Sequence, residues 1–128
     1  MQEKEGVEKT MELKNIDPAF DVMKEFSKAT NGTVGHIDKM RHSSIFTDGV
    51  IPSKHKALAA ALWSVSSKCE QCFKFYILKA KELGATKEEV GEFLAIASTM
   101  GGCVGEMWAL KAFKVYLDNE DLDGSCCT

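Results

Sequence analysis

The sequence of 128 residues has little of the features that mark specialised classes of protein. It contains only two prolines, and no apolar run approaches the roughly 20 residues that cross a bilayer. The charged N-terminal stretch lacks the apolar core of a signal peptide. Acidic and basic residues are interspersed, with a net charge of −3, so no basic stripe indicates nucleic acid and no polybasic run indicates a membrane. We therefore expect a cytoplasmic protein with neither nucleic-acid nor membrane partners.

Apolar and charged residues make up 45% and 27% of the chain, which is typical of a soluble globular protein. The length fits one domain that can bury a core without disulfides. No segment shows the alternation of a half-buried strand, whereas several show the spacing of a buried helix face. We predict an all-α, single-domain bundle of about six helices over residues 16–117. A polar arm at 1–15 precedes it, and an acidic, cysteine-containing tail at 118–128 follows it.

Helix starts are indicated at three places by residues that cap helices. Asp17 is suited to an N-cap and Pro18 to the first helical position. Ser53 is suited to capping the helix that follows it. Thr86 and Glu89 have the spacing of a capping box, in which each side chain accepts a hydrogen bond from the backbone amide of the other. The spacing therefore predicts helices that begin near these residues.

Helix ends are indicated mainly by glycine. Gly84 favours the end of a helix over about 70–83, because glycine readily adopts the left-handed conformation that closes a helix. Gly101 and Gly102 end the next helix, and a last helix follows over about 103–117. The short loops between these helices favour antiparallel neighbours.

Cysteine is the residue that stands out. The chain has five cysteines, which do not pair evenly into a structural framework. A cytoplasmic compartment also keeps most thiols reduced. Cys69 and Cys72 form a Cys-x-x-Cys pair at the predicted start of the helix over 70–83. In this setting such a pair is more typical of redox or metal chemistry than of a structural staple.

Two cysteines three residues apart on the first turn of a helix can bring their sulfurs within bonding distance. The positive end of the helix dipole stabilises a thiolate there; Lys68 and Lys74 add positive potential, and Glu70 opposes it. One thiolate can attack a disulfide or a peroxide, and the other sulfur can resolve the mixed intermediate. Two further interpretations stay open at this point. The pair can be half of a zinc site completed by Cys103 or the tail cysteines, or a structural pair of small apolar residues.

From about Asp48 to Val115 the chain resembles the carboxymuconolactone decarboxylase and alkylhydroperoxidase-D-like family. The resemblance lies in "DGVIPSKHKALAAALWSVSSKCEQC", then in "KAKELGATKEEVGEFLAIASTMGG", and in a final helix after the glycines. It implies an all-α fold whose subunits associate as trimers or hexamers. In thiol-active members it also implies a Cys-x-x-Cys that cycles between dithiol and disulfide.

The resemblance also implies two partners for the thiols. Thiol-active members place a Glu on the preceding helix and a His after the second cysteine, and this pair relays a proton. Aligned on the dithiol, the two positions fall at Ala57 and Tyr76, so both relay residues are missing here. Peroxide reduction relies on a primed thiolate and on protonation of the leaving oxygen. Disulfide exchange is less demanding, because its leaving group is a thiolate.

We therefore expect a disulfide reductase with Cys69 and Cys72 as its catalytic residues and with no cofactor or metal. In thiol-active relatives the second cysteine meets the peroxide, so Cys72 is the expected nucleophile and Cys69 the resolving residue. The alternatives are a weak alkylhydroperoxide reductase of the same family and a non-catalytic metal-binding or structural oligomer. Decarboxylase activity is not expected. The expected partners are copies of the same chain and a thiol reductant or a disulfide substrate protein.

Four further residues are auxiliary candidates. Tyr76 can hydrogen-bond a sulfur or donate a proton, or it can serve only as a core aromatic. Glu106 can pair with the N-terminus of the last helix, or lie buried near the thiols. Cys126 and Cys127 can carry reducing equivalents to the dithiol on a flexible arm, or have no role, as is usual for terminal residues.

Overall fold

The computed structural model describes residues 13–120, apart from the side chain of residue 120, and these residues form the predicted all-α bundle without a strand. Residues 1–12 of the predicted arm and 121–128 of the predicted tail lie outside the described part. The last helix continues to residue 120, three residues beyond its predicted end. The elements are α1 (Leu13–Ile16), a 3-10 helix (Pro18–Val22), α2 (Met23–Ala29), α3 (Thr33–Ser44), α4 (Ser53–Ser66), α5 (Glu70–Glu82) and α6 (Lys87–Glu120), which Gly102 divides into a first segment (87–101) and a second segment (103–120).

The core lies between α4, α5 and α6. The largest fully buried side chains are Leu58, Phe73, Ile77 and Val90, which come from all three helices. Burial of each contributes about 1.5–3 kcal/mol. By contrast, α2 and α3 contain no buried residue, and Ile16 of α1 is the buried residue of the N-terminal part. The helices before α4 therefore form an outer layer on the core rather than part of it.

The helix starts confirm one prediction from the sequence and correct another. Asp17 accepts a hydrogen bond from the Ala19 amide at 2.8 Å, and Pro18 is the first residue of the 3-10 helix, as predicted. The prediction that Ser53 caps α4 was wrong, because its side chain makes no cap bond. Instead, the Ser53 amide donates to Oδ1 of Asp48 at 2.7 Å, and this bond lowers the pKa of Asp48. A carboxylate on the preceding loop thus takes the role expected of the hydroxyl.

The turn between α5 and α6 follows the predicted pattern. Gly84 has a φ of 102°, and the next amide, that of Ala85, donates to the Ala80 carbonyl at 2.9 Å, which closes α5. The Thr86 amide donates to Oε1 of Glu89 at 2.9 Å, and the Glu89 amide donates to the Thr86 hydroxyl at 3.1 Å. These two bonds are the capping box that the sequence indicates, and α6 begins directly after Thr86.

The two segments of α6 form an antiparallel hairpin. Gly102, with a φ of 63°, reverses the chain between them, as the double glycine predicts. At the open end of the hairpin the Tyr116 hydroxyl donates to the Ala85 carbonyl at 2.9 Å. Near the turn the segments are so close that a Cβ on Gly105 would overlap the carbonyl group of Ala97. Glycine at this position therefore permits the close approach of the two backbones.

Contrary to the expectation from the sequence, the stretch Lys87–Asn119 of the described chain is long and apolar enough to cross a membrane by length and composition alone. It is not one straight helix, because Gly102 folds its halves against each other. The stretch is mostly exposed within the single chain, with 17% of the apolar window buried. Much of its apolar surface is thus uncovered within the described residues of the chain.

Candidate functional site

Cys69 and Cys72 are joined by a disulfide at the N-terminus of α5, with their Cα atoms 5.3 Å apart. Cys69 is the N-cap residue, and its sulfur accepts the Cys72 amide N–H at 3.3 Å. A sulfur in this position receives both a hydrogen bond and the positive end of the helix dipole, which stabilise it as a thiolate after reduction. The local helix start therefore supplies the polarity that a dithiol couple needs.

The turn before the pair sets this geometry. Cys69 follows Lys68, whose φ of 58° lies in the left-handed region that favours glycine. The Lys68 amide donates to the Val65 carbonyl at 3.0 Å, and the Cys69 amide donates to the Ser64 carbonyl at 2.9 Å. This pair of bonds is a Schellman closure of α4. It places Cys69 at the N-cap of α5. One tight turn therefore ends α4 and positions the Cys69 sulfur at the start of α5.

The two sulfurs differ in their surroundings. Cys72 is exposed, whereas Cys69 is half-buried. Cys72 also lines a cavity of about 240 Å³ between α5 and the outer layer of N-terminal helices. Lys74 forms an ion pair with Glu70 at 3.2 Å, so its charge is partly compensated, while Lys68 is exposed. Of the two cysteines, it is therefore Cys72 that a molecule in this cavity lies beside.

Ala57 and Tyr76 occupy the two positions at which the resemblance places the proton relay, and their surroundings differ. Ala57 is fully buried in the core, with no exposed surface. The Tyr76 hydroxyl, which was a candidate partner for a sulfur, instead accepts a hydrogen bond from Nε of Arg41 at 3.0 Å. Tyr76 and Arg41 both line the cavity beside Cys72. Tyr76 is therefore neither a wholly buried core aromatic nor a ligand of the disulfide, but part of a polar pair on the cavity wall.

Arg41 is the functional candidate that the sequence reasoning missed. It lies on α3, outside the stretch that carries the dithiol, and it meets Tyr76 across 35 positions of the chain. One signal was available: Arg41 is the only arginine in the sequence. Arginine presents a planar set of five N–H donors that suits carboxylate recognition, which lysine does not offer.

The rest of the cavity wall is mostly apolar. A hydrogen bond connects the N-terminal helices on one side of the cavity to the turn that carries the dithiol. Gln71, which lies between the two cysteines, donates to Oδ2 of Asp17 at 2.7 Å. Hydrogen bonds from the Ala19 amide and from Gln71 lower the pKa of Asp17. This link holds the outer layer against the start of α5. The apolar lining comes from Leu13, Phe20, Met23, Val34, Ile37 and Phe75.

The other auxiliary candidates are not brought to the dithiol. Glu106 is exposed near the start of the second segment of α6 and does not line the cavity, so of its two interpretations only the pairing with the N-terminus of the last helix is left. Cys103 is an exposed free cysteine. Cys126 and Cys127 lie outside the described residues. Within the described part, no cluster of three His, Cys, Asp or Glu residues is placed to hold a metal ion.

A second polar cluster surrounds Glu89 and has a structural explanation. The hydrogen bond from the Thr86 amide, followed by that from Lys54, lowers the pKa of Glu89 from 4.5 to about 2. Lys54 lies 3.1 Å and His55 3.4 Å from Oε2 of the same carboxylate. Lys54 and His55 thus link α4 to Glu89 at the start of α6, and none of these residues lines the cavity beside Cys72.

Comparisons with known proteins agree with this architecture. A model of the carboxymuconolactone decarboxylase family matches residues 34–115. An uncharacterised protein of Cupriavidus necator is 38% identical over 69 residues, which are 54% of this chain and 61% of the length of that relative. The crystal structure of an apo carboxymuconolactone decarboxylase family protein from Legionella pneumophila is similar with a TM-score of 0.74 and 25% identity, over 84% of this chain and 96% of that one. The family model covers more than half of the residues and includes the dithiol, so this chain belongs to the carboxymuconolactone decarboxylase family.

Proposed function

We propose that this protein is a thiol–disulfide oxidoreductase that reduces disulfides with Cys69 and Cys72. The observation that carries the proposal is the disulfide at the start of α5, whose exposed member, Cys72, opens onto a cavity. Ala57 and Tyr76 stand where a carboxylate and an imidazole would relay protons in a peroxidase-like site. Disulfide exchange needs neither, because the departing group is a thiolate.

The surroundings of the two sulfurs suggest the order of steps. Cys72 is the exposed sulfur that attacks, and Cys69, whose thiolate the helix start stabilises, is the leaving group when the disulfide is reduced again. The Cys72 thiolate attacks one sulfur of the substrate, the substrate S–S bond breaks, and one half leaves as a thiolate. The Cys69 thiolate then attacks the Cys72 sulfur, which breaks the mixed disulfide and releases the second half. The enzyme dithiol loses two electrons to the substrate, and its two protons pass to solvent or to the product thiolates. A dithiol reductant returns two electrons and two protons to the Cys69–Cys72 disulfide.

A weak peroxide reductase is the second candidate, and one observation favours it. The Tyr76 hydroxyl lies on the wall of the cavity that Cys72 lines, and its oxygen already accepts from Arg41. Its hydrogen can be donated to a leaving oxygen when a peroxide is cleaved. Comparison of the two reactions in one preparation decides between them: faster consumption of an organic hydroperoxide than of a model disulfide favours the peroxidase.

The test of the first candidate is a single-turnover assay with the full chain. Protein reduced with dithiothreitol and freed of it should reduce a model disulfide and form the Cys69–Cys72 disulfide. Cys72→Ser should lose the fast phase entirely, and Cys69→Ser should stop at a mixed disulfide that mass spectrometry detects. Cys103→Ser is the matched control, because its thiol is exposed but lies away from the cavity. Retained turnover in both dithiol variants contradicts the proposal.

We also propose that the chain associates with copies of itself. A second cavity, of about 480 Å³, lies between α4 and the hairpin of α6. Four large apolar side chains on its wall are exposed; we call them the apolar cleft: Trp63, Ile96, Met100 and Val104. Exposed apolar patches of this kind mark interaction surfaces. The family resemblance favours a second copy of this chain as the partner, in a trimer or a hexamer.

A further inference from the structure

The residues that line the cavity beside Cys72 indicate which kind of substrate it accepts. We infer that it selects disulfides of small organic molecules whose halves combine a flat apolar body with a carboxylate, and that Arg41 is the residue that determines this selectivity. The inference rests on the proposed function, since it concerns the substrate that Cys72 attacks.

The guanidinium of Arg41 supports the carboxylate. Of its five N–H donors, the one on Nε is given to the Tyr76 hydroxyl at 3.0 Å. This bond fixes the plane of the group at the cavity wall. The two Nη groups remain for a planar acceptor, and a carboxylate matches them in a bidentate arrangement. Arg41 is also the only guanidinium of the whole chain, and the structure places it at the cavity that Cys72 lines.

One carboxylate on the cavity wall competes for the Arg41 guanidinium. Asp38, one turn before Arg41 on α3, also lines the cavity. Its Oδ1 lies 4.0 Å from Nη1 of Arg41, at the outer limit of an ion pair. The Asp38 side chain is 63% exposed and that of Arg41 is 38% exposed, and pairs in such positions are weak because water screens them. A bound carboxylate can therefore displace this contact at little cost.

Aromatic rings support the flat apolar body. Phe75 and Tyr76 lie on the cavity wall with ring centroids 5.0 Å apart, and the guanidinium of Arg41 lies 5.8 Å from the Phe75 centroid. An aromatic or similarly flat group packs against such a wall.

The size of the cavity supports a small substrate. About 240 Å³ is less than the roughly 300–1,000 Å³ of pockets for drug-sized ligands, so it accommodates one half of a small disulfide. Cys72 is among the residues that line it.

The test compares two aromatic disulfides that differ in charge. Dithiobis(nitrobenzoate) carries one carboxylate on each half, whereas dithiodipyridine is uncharged near neutral pH, and both release a coloured thiol product. The full chain with Cys103→Ser, Cys126→Ser and Cys127→Ser leaves the dithiol as the only thiol source, so each chain releases two product thiols per turnover. The measured quantity is the second-order rate constant for each probe with prereduced protein.

Arg41→Gln should lower the rate constant for the anionic probe about tenfold, which is the usual effect of losing one charge-assisted hydrogen bond, and leave the neutral probe within about twofold. Arg41→Lys should restore only part of the loss, because an ammonium cannot bind a carboxylate in the bidentate mode. Asp38→Asn should raise the rate constant for the anionic probe. Lys39→Gln is the matched control, since it removes an exposed cation from the same helix that does not line the cavity.

The outcomes separate this inference from the proposed function. An equal fall for both probes in Arg41→Gln overturns the selectivity, because Arg41 would then act on the dithiol or on the fold. Equal sensitivity of Lys39→Gln overturns it as well, because the effect would then be the net charge of the chain. If the wild-type dithiol reduces neither probe faster than Cys72→Ser does, the proposed function itself fails, and the inference fails with it.

Discussion

The two cavities of this protein differ in volume, in their position in the fold and in the residues that line them. The one of about 480 Å³ is twice the size of the other and is formed by the ordered core helices α4 and α6. Its wall is mostly apolar, with Ser66 and Lys68 among the lining residues, and four of its large apolar side chains are exposed. The one of about 240 Å³ lies between α5 and the outer N-terminal layer, and its lining includes Cys72, Tyr76, Arg41 and Asp38.

Under the proposed function, the chemistry of the lining residues rather than the volume assigns the reaction to the smaller cavity. Small-molecule sites combine an apolar wall with a few placed polar groups, which is the composition of the smaller cavity. The larger one exposes large apolar side chains, which is the feature from which we propose that another copy of the chain covers it. Perturbed carboxylates are equally unreliable guides here. The largest pKa shift, that of Glu89, belongs to a helix cap that lines neither cavity.

The largest effect that we predict is a loss of stability from a substitution on the wall of the larger cavity. Gly105→Ala places a methyl group into the Ala97 carbonyl, so the hairpin of α6 must open. We expect a loss of about 3 kcal/mol in the free energy of unfolding, the upper range for overpacking. Gly101→Ala is the control, because a methyl group there meets no atom within 4 Å. Urea unfolding measures both, and an equal effect of the two variants contradicts the close approach.

The next prediction separates the two cavities by function. Met100 is 81% exposed in the apolar cleft. A carboxylate buried at a subunit interface without a partner costs several kcal/mol, so Met100→Glu should raise the dissociation constant of the oligomer by about a hundredfold or more. The rate of disulfide reduction per chain should stay within about twofold, because the variant does not touch the cavity beside Cys72.

Light scattering coupled to size-exclusion chromatography measures the mass of the assembly. Val50→Glu is the matched control for Met100→Glu, since Val50 is a fully exposed apolar residue that lines neither cavity. An unchanged mass in Met100→Glu, or equal dissociation in both variants, means that the apolar cleft is not the subunit interface.

The smallest predicted effect concerns Glu89 and pH. Its pKa in the folded chain is about 2, below the ordinary 4.5, so its carboxylate stabilises the fold above pH 4.5. That contribution is lost as the pH falls from 4.5 towards 2, because the unfolded chain takes up the proton first. Glu89→Gln keeps a capping side chain but removes the charge. The variant should therefore show a shallower loss of thermal stability over this interval.

Thermal unfolding at several pH values, followed by circular dichroism, tests this expectation. Glu88→Gln provides the comparison, because Glu88 is exposed on the same turn and the capping bonds belong to Glu89. The same slope in wild type and Glu89→Gln would show that the capping box makes no charge-dependent contribution.

Local signals in the sequence predicted the local structure well. The caps at Asp17 and Thr86, the stop at Gly84 and the break at Gly102 depend on residues within a few positions of each other, so their outcome follows from neighbouring residues alone. The predicted cap at Ser53 was wrong because a competing acceptor lies close by in the chain: Asp48, in the loop before α4, accepts the hydrogen bond from the Ser53 amide.

The candidate site was only half predictable. The Cys-x-x-Cys pair is a local motif, and the structure places it at the start of α5 as expected. The contact between Arg41 and Tyr76 joins two helices that are far apart in the chain, so no spacing rule indicates it. The burial of Ala57 and the exposure of Glu106 likewise follow from how α4 and α6 pack, and neither could be inferred from the neighbouring residues.

The sequence by itself determined the helices, their ends and the position of a dithiol at a helix start, because hydrogen bonds to neighbouring amides decide these features. Only the tertiary structure decided which sulfur opens onto a cavity, which cation faces it and which apolar side chains stay uncovered. Those outcomes depend on the packing of an outer layer against a core. Packing brings together residues whose distance along the chain carries no information about their contact.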